Sequence, residues 1–153
     1  MPEVAKDEGR GKVLALQASM EALPAERQLD IGAMTRHYFA DGAYAREMTI
    51  PAGVVVVGKI HKTAHICIVS KGVVDVLDES GEVRRIVAPA TFVSPPGTKR
   101  AAFAVEETVW TVFHPTHETD LERIERAFIA QDFEELEASG ALEARDWLLA
   151  AEG

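Results

Sequence analysis

Short runs in which apolar and polar residues alternate fill the middle of the chain, from about Met34 to Phe113. They are rich in Val, Ile, Thr and aromatic residues, the side chains that suit a pleated, half-buried strand. Turn-forming residues separate the runs, as at Asp41-Gly42 and Pro95-Pro96-Gly97. The main candidate strands are TRHYF, AYAREMTI, VVVVGKI, VVDVL, EVRRIV, TFVS, RAAFAV and TVWTVF. Seven or eight strands of this kind predict a mainly β protein, either a sandwich or a closed barrel.

The hydrophobic period becomes helical on both sides of this region. Residues 12–22, KVLALQASMEA, predict a short helix that ends before Pro24. Beyond the last strand, Thr119 and Glu122 form a capping-box pattern, which predicts Thr119 as the N-cap of a helix. Apolar residues then follow at helical spacing: Leu121, Ile124 and Phe128.

Two further helices are predicted near the C-terminus, around residues 133–138 and over residues 142–150. The pattern as a whole divides the chain into three parts. An N-terminal extension with a short helix covers residues 1–33, a β-barrel covers 34–115, and an acidic helical segment covers 116–153.

Composition and charge narrow the classes of partner. A chain of 153 residues with 47% hydrophobic residues fits one globular domain that buries a core. Residues 116–153 contain 11 acidic and 3 basic side chains, which accounts for −8 of the net charge of −9. This balance argues against nucleic acid and against anionic membrane surfaces as partners. The acidic end predicts a solvated helical face.

The sequence also predicts a cytoplasmic setting. No apolar run approaches the ~18 residues that span a bilayer, and the N-terminus lacks the apolar region of a signal peptide. Cys67 is the only cysteine, so the chain forms no disulfide within itself, and Cys67 is expected to be a small buried apolar residue.

Candidate chemistry is concentrated in the stretch IPAGVVVVGKIHKTAHICIVSKGVVDVL, which runs from Ile50 to Leu77. Two histidines, His61 and His65, stand four residues apart in this β-rich run, where imidazoles are costly to bury without partners. Lys59, His61, Thr63, His65 and Cys67 have the same parity, so a strand would direct all of them to one side.

The order of these features resembles the cupin superfamily, whose fold is a small double-stranded β-helix, or jelly roll. Gly72 in IVSKGVVDV matches a glycine of the first cupin block, and Pro95-Pro96-Gly97 matches the Pro-x-Gly of the second. Counting back from Gly72 places His65 where the family has a glutamate and His61 at its second histidine. The same count places Lys59 at the first histidine of the block. The resemblance covers roughly residues 38–113 and implies a homodimer.

Two uses of this region follow from the resemblance, and the residues leave both open. A cupin metal site uses three histidines and a carboxylate, whereas this chain has His61 and His65, with Lys59 and Arg100 in the other two places. Two imidazoles suit a divalent transition metal such as Zn, Fe, Ni or Mn, and Glu47 or His37 is a candidate third ligand.

The other use is an anion-binding pocket. Lys59, His61, His65 and Arg100, with Lys99 as a further candidate, would bind a carboxylate, a phosphate or a sugar acid. A hairpin bend between His61 and His65 would place them on adjacent strands with both side chains inward. As a simpler alternative, the two histidines cap strand ends and bond only to backbone or water. His114 is expected to have a turn or capping role.

The phrases GKIHKTAHICIVSKG, TFVSPPGTKR and TVWTVFHPTHETDLE resemble small phage- and prophage-encoded cupin-like proteins. That group has a glutamate before the second histidine, where this chain has Ala64.

Two function classes therefore remain. One is a small-molecule site in the barrel, in a binding protein or in an enzyme with His61 or His65 as acid/base. The other is a non-catalytic assembly protein that uses its acidic C-terminal helices as a contact surface.

Overall fold

The computed structural model describes residues 3–139, with side chains from Glu8 onward. The helices are α1 (Glu3–Glu21), α2 (Leu121–Phe128) and α3 (Phe133–Ala138), with a short 3-10 helix at Ala25–Arg27. The first strands are β1 (Thr35–Ala40), β2 (Ala43–Ile50), β3 (Val55–Val57), β4 (Ile60–His61), β5 (His65–Lys71) and β6 (Val73–Leu77). The remaining strands are β7 (Val83–Val87), β8 (Ala90–Ser94), β9 (Ala101–Ala104), β10 (Thr108–His114) and β11 (Ile129–Ala130).

Nine of the described strands form two antiparallel sheets that face each other, and β4 and β11 form a separate two-stranded pair. The five-stranded sheet has the order β1-β2-β10-β5-β8, and the four-stranded sheet has the order β3-β9-β6-β7. Consecutive strands thus pass repeatedly from one sheet to the other, which is the connectivity of a jelly roll. The predicted fold class, a mainly β double-stranded β-helix with an N-terminal helix and C-terminal helices, is confirmed.

Gly72 is the corner at which the chain passes from β5 in one sheet to β6 in the other. Its φ of +94° is a left-handed conformation that glycine adopts at little cost. A Cβ at this position would lie 2.2 Å from the backbone oxygen of Glu107. The glycine that the sequence motif contains is therefore required by both backbone conformation and space.

Every second side chain of each strand points between the two sheets, and most of these side chains are apolar. The main cluster of buried side chains joins Ile50 and Val69 of the larger sheet to Val56, Val74 and Val76 of the smaller one. Cys67 is 1% exposed, which confirms the prediction of a buried cysteine. Among residues 3–139, no helix combines the length and apolar character needed to cross a membrane.

The N-terminal helix is longer than predicted, because α1 begins at Glu3 and not at residue 12. The predicted helix is confirmed but its predicted start was wrong, because Gly9 and Arg10 pack on the β6–β7 hairpin, a long-range contact that local propensity does not report. Val13 is fully buried, and Arg10 forms an ion pair with Glu79 at 3.4 Å.

The predicted strand VVVVGKI is two separate strands, β3 and β4, since the chain leaves the sheet at Gly58. There the amide of Gly58 donates to the carbonyl of Arg100 at 2.8 Å. The second part, β4, pairs with β11 from the C-terminal segment and not with β5. A bend does place His61 and His65 on successive strands with both rings inward, but β4 and β5 do not pair with each other.

The N-cap of helix α2 differs from the predicted one. The N-cap of α2 is Asp120 and not Thr119, because the Asp120 carboxylate accepts from the amide of Arg123 at 3.1 Å. The amide of Thr119 instead donates to the carboxylate of Glu118. Helix α3 confirms the prediction around residues 133–138, and the helix predicted over 142–150 lies outside the described residues.

Candidate functional site

Three histidines from three strands meet beneath α2, and we refer to His61, His65 and His114 as the histidine cluster. The ring centroids of His61 and His65 are 4.1 Å apart, and each is 5.2 Å from that of His114. The ring of Phe128, the last residue of α2, stacks on His114 at 4.4 Å. His65 is 5% exposed and His114 is 4% exposed. The cluster is therefore largely enclosed by protein.

Hydrogen bonds define which ring nitrogens carry protons. The Nδ1 atom of His65 is 3.1 Å from the carbonyl oxygen of Thr63. Since a carbonyl only accepts, Nδ1 is the donor, and Nε2 of the neutral ring presents a lone pair. The Nδ1 atom of His61 is 3.2 Å from Nε2 of His114, so one of these nitrogens donates to the other.

Burial keeps all three imidazoles uncharged at neutral pH. It lowers the pKa of His61 well below 6.5, and positive charge on His65, His114 or the nearby arginines would lower it further. For His114, burial together with His65 and Arg46 lowers the pKa to about 4. Burial also lowers the pKa of His65, although the hydrogen bond to Thr63 acts in the opposite direction.

Several buried polar atoms around the cluster have no hydrogen-bond partner among the described residues. They are Nδ1 of His114, Oγ of Ser94 and Oγ1 of Thr63. Ser94 lies directly opposite His65 in the β5–β8 ladder, and Thr63 accepts the His65 hydrogen bond through its carbonyl. Buried polar groups are nearly always hydrogen-bonded, and unpaired ones in a native structure call for an explanation. The unpaired hydrogen-bonding atoms at this cluster are of the kind that a polar ligand would contact.

Two arginines flank the histidine cluster without a carboxylate partner. Neither the Arg46 guanidinium nor the Arg100 guanidinium makes a hydrogen bond or ion pair with a side chain among residues 8–139, although that of Arg100 lies 5.5 Å from the centroid of the Phe92 ring. Burial lowers the pKa of the Arg100 guanidinium, whereas the negative charges of Asp78 and Glu79 raise it. Asp78 pairs with Arg84.

Both arginines line a cavity of about 190 Å³ between the two sheets, which we call the inner cavity. His61 and His65 also line the inner cavity. A second cavity of about 280 Å³, the outer cavity, lies under α2 and shares Arg46 and His61 with the first. The two cavities therefore meet at the side chains that carry the candidate chemistry.

Strand pairing arranges the inner face of the larger sheet in rows that change from polar to apolar. The row nearest α2 contains Tyr44 opposite His114, with His65 beside it. The second row contains Arg46, Val112 and Cys67. The third row contains Met48, Trp110 and Val69. The polar end of the site thus faces α2, and its floor is hydrophobic.

The structure brings together most of the predicted ligand-binding residues. His61, His65, Lys59 and Arg100 all line the inner cavity. The ammonium of Lys59, however, forms an ion pair with Glu125 of α2, so its charge is already neutralised. The further candidate Lys99 does not join the cluster, because it is buried and its ammonium donates to the carbonyl of Gly58 at 3.0 Å.

The two suggested third ligands lie elsewhere. His37 lines the outer cavity, and its Nδ1 atom is 2.7 Å from the hydroxyl of Tyr44. Glu47 has the opposite parity to the inward-facing Arg46 and Met48, so its side chain is on the outer face of the sheet.

Sequence reasoning missed two members of the site, His114 and Arg46. The turn or capping role expected for His114 was wrong, because its ring packs against His61 and His65. The sequence did contain a signal for both, namely their position in the alternation of inward and outward residues along each strand. Arg46, Met48 and Ile50 are every second residue of β2, and Trp110, Val112 and His114 are every second residue of β10. Both Arg46 and His114 therefore lie on the same face of the sheet as residues of the hydrophobic interior.

Neutral imidazoles are common ligands of transition metals. Within the described residues, however, no group of three or more His, Cys, Asp or Glu side chains is arranged to hold a metal ion. The rings of His61 and His65 stack on each other, with 29° between their planes. As placed, these residues do not fit a bound metal, and a metal at His61 and His65 stays a prediction.

Several solved structures resemble part of this chain. No protein-family model matches the chain, and no curated protein matches it. A cupin-2 domain protein from Shewanella frigidimarina is 17% identical with a TM-score of 0.44, covering 54% of this chain and 79% of its own. KdgF from a Halomonas species is 24% identical with a TM-score of 0.45, and the match covers 57% of this chain and 86% of KdgF.

An RmlC-like cupin with a double-stranded β-helix fold, from Methanocaldococcus jannaschii, is 13% identical with a TM-score of 0.45. It covers 54% of this chain and 81% of its own length. The likenesses concern the fold, and the resemblance to phage- and prophage-encoded proteins stays a prediction.

Proposed function

We propose that this protein binds a small anionic ligand, with the anion held in the inner cavity by Arg46 and Arg100. The observation that carries the proposal is the pair of guanidiniums that line one cavity, neither of which forms an ion pair with a carboxylate among residues 8–139. Removing a cation from water is costly unless an anion compensates it. A bound carboxylate or phosphate would supply that compensation through bidentate hydrogen bonds.

The histidine cluster supports the same function because its rings are neutral at pH 7. A neutral imidazole can donate through one nitrogen and accept through the other. The lone pair on Nε2 of His65 can also accept a proton from a bound ligand, which is the acid/base role predicted for His61 and His65. That role stays a prediction, and a binding function does not require it.

A binding experiment tests the proposal directly. Isothermal titration calorimetry with acetate and with inorganic phosphate should detect binding of at least one anion, with chloride held constant. Arg100→Gln should weaken that binding at least tenfold, whereas Arg84→Gln should leave it unchanged, because Arg84 is an exposed residue paired with Asp78. Undiminished binding by Arg100→Gln, or the absence of any binding by the wild-type chain, would refute the proposal.

Elemental analysis of the purified protein separates this function from a metal-dependent one. Binding of anions by protein that contains no transition metal supports the arginine site. If anion binding disappears on treatment with EDTA and returns with Zn²⁺, the anion is held by a metal and the proposal is wrong.

The outer face of the larger sheet favours a second candidate function, association with another copy of the chain. Strand register places five apolar side chains in one continuous row: Tyr38, Ala45, Phe113, Ile66 and Val93. Tyr38, Ile66 and Val93 are 47%, 48% and 60% exposed. An apolar patch of this kind is typical of protein–protein contacts, and the homodimer implied by the family resemblance would cover it.

Sedimentation velocity tests this second candidate. The wild-type chain should sediment as a dimer, and Ile66→Lys should convert it to a monomer. The matched control is Val87→Lys, because Val87 is also 60% exposed but lies on the other sheet. A monomeric wild type would exclude the dimer. The alternative assembly surface, the acidic C-terminal helices, falls partly on residues 140–153, outside the described residues.

A further inference from the structure

The floor of the inner cavity is hydrophobic, in contrast to its polar end. Met48, Ile50 and Trp110 line it from the larger sheet, and Val56 and Ala102 line it from the smaller one. Ile50 is 1% exposed and belongs to the main buried cluster, so this part of the wall is a face of the protein core.

The polar atoms near the floor offer few unused hydrogen bonds. The hydroxyl of Thr98 donates to the carbonyl of Pro95 at 3.0 Å. Burial raises the pKa of the Cys67 thiol, so this side chain is uncharged and is a weak hydrogen-bonding group. A hydroxyl group placed against this floor would lose its hydrogen bonds to water with little replacement.

The size of the inner cavity limits what it can contain. Its volume is about 190 Å³. An engineered apolar cavity of about 150 Å³ in another protein is large enough for benzene. The inner cavity therefore has room for a short branched chain or a single six-membered ring, together with one carboxylate at its polar end.

From this arrangement we infer that the ligand is a small carboxylic acid with a compact apolar body, such as a short aliphatic acid or an aromatic acid. The inference rests on the proposed anion site, because Arg46 and Arg100 would bind the carboxylate. The body of the ligand would lie against Met48, Ile50 and Trp110. A sugar acid of the same charge would bury its hydroxyl groups on this apolar floor, so it should bind more weakly.

A homologous series of ligands tests the inference by calorimetry. Acetate, propanoate, butanoate and 3-methylbutanoate carry the same carboxylate and differ only in apolar volume. Each added methylene that becomes buried should raise affinity about fourfold until the cavity is full. Benzoate should bind more tightly than acetate, and gluconate should bind more weakly than either.

Two variants locate the apolar contact. Val56→Thr keeps the shape of the side chain but places a hydroxyl at the floor, and it should weaken benzoate binding about tenfold and acetate binding far less, because acetate has almost no apolar body. Val93→Thr is the matched control, since Val93 is 60% exposed on the outer face. If Val56→Thr fails to fold, Met48→Gln provides the same comparison at a partly buried position.

The outcomes separate this inference from the proposed function. If affinity is flat along the aliphatic series, or gluconate binds as well as benzoate, the inference is wrong and the anion site stands. If none of these acids and no phosphate binds, both are wrong. Rising affinity in the wild type, with Val56→Thr weakening benzoate binding far more than acetate binding, supports the inference.

Discussion

The Nδ1 atom of His61 lies 3.2 Å from Nε2 of His114, although 53 positions separate the two residues in the sequence. The C-terminal segment contacts both of them. Ile129 of β11 pairs with His61, and the ring of Phe128 stacks on His114. The helix that follows the barrel therefore helps to position the histidine cluster and encloses it.

Enclosure of the histidine cluster predicts that the protein loses stability in mild acid. The pKa of His114 is about 4 in the folded chain and 6.5 in an unfolded one. Between these values the unfolded state binds more protons, so the free energy of unfolding falls as the pH falls. The loss attributable to His114 between pH 7.5 and pH 4 is roughly 3 kcal/mol.

Urea unfolding of EDTA-treated protein at pH 7.5, 6, 5 and 4 measures this dependence. Carboxylates also titrate in part of this range, so the contribution of His114 is the difference between the wild type and His114→Gln. The variant should show a shallower decline, whereas His117→Gln should match the wild type because that ring is 80% exposed. Equal slopes for the wild type and His114→Gln would show that His114 is not held neutral.

Replacing Arg100 should stabilise the protein while removing its proposed function. The guanidinium has no ion pair among residues 8–139, and burial lowers its pKa, so the folded state carries a buried cation whose visible compensation is the Phe92 ring and the more distant charges of Asp78 and Glu79. Arg100→Met should raise the free energy of unfolding by about 1 kcal/mol, since apolar replacements of buried charges are often stabilising. Chemical unfolding without added anions is the measurement, and a destabilised Arg100→Met variant would show that the charge is compensated by other groups.

Much of the fold follows from local patterns, because alternation with period two reports which face of a strand is buried. The hairpin of β6 and β7 and the corner at Gly72 are encoded within a few residues each. The start of α1 is not, since the contact of Gly9 with the backbone at Glu79 and Gly81 depends on how distant parts of the chain pack. The pairing of β4 with β11 involves two residues on each strand, too few to leave a periodic signal.

The residues of the candidate site also divide into those that the sequence could predict and those that it could not. His61, His65 and Arg100 could be found because they lie at positions marked by recognisable glycine and proline motifs. Arg46 and His114 occupy strands without such motifs, and only their phase relative to buried neighbours indicates an inward direction. That these side chains meet is a consequence of strand order, which no short window of sequence contains.

Helix α2 offers a test that separates the sequence-based cap from the structural one. The carboxylate of Asp120 accepts from the amide of Arg123, whereas no such contact links Thr119 to α2 among the described residues. Asp120→Ala should lower the free energy of unfolding by about 1 kcal/mol, the usual effect of losing an N-cap. Thr119→Ala should change it by a few tenths at most, and the reverse order in urea unfolding would restore Thr119 as the cap.

Two glycines in α1 give a matched pair for the docking of that helix. Alanine is favoured over glycine in a helix by about 1 kcal/mol, and Gly11 has no atom within 4 Å of an added Cβ, so Gly11→Ala should stabilise the protein. At Gly9 an added Cβ would lie 2.4 Å from the backbone oxygen of Glu79. Gly9→Ala should therefore be destabilising despite the same gain in helix propensity, because the helix must move away from the hairpin. Thermal unfolding should place the Tm of Gly11→Ala above that of the wild type and the Tm of Gly9→Ala below it. Equal stabilisation by both substitutions would mean that α1 does not pack against the hairpin in solution.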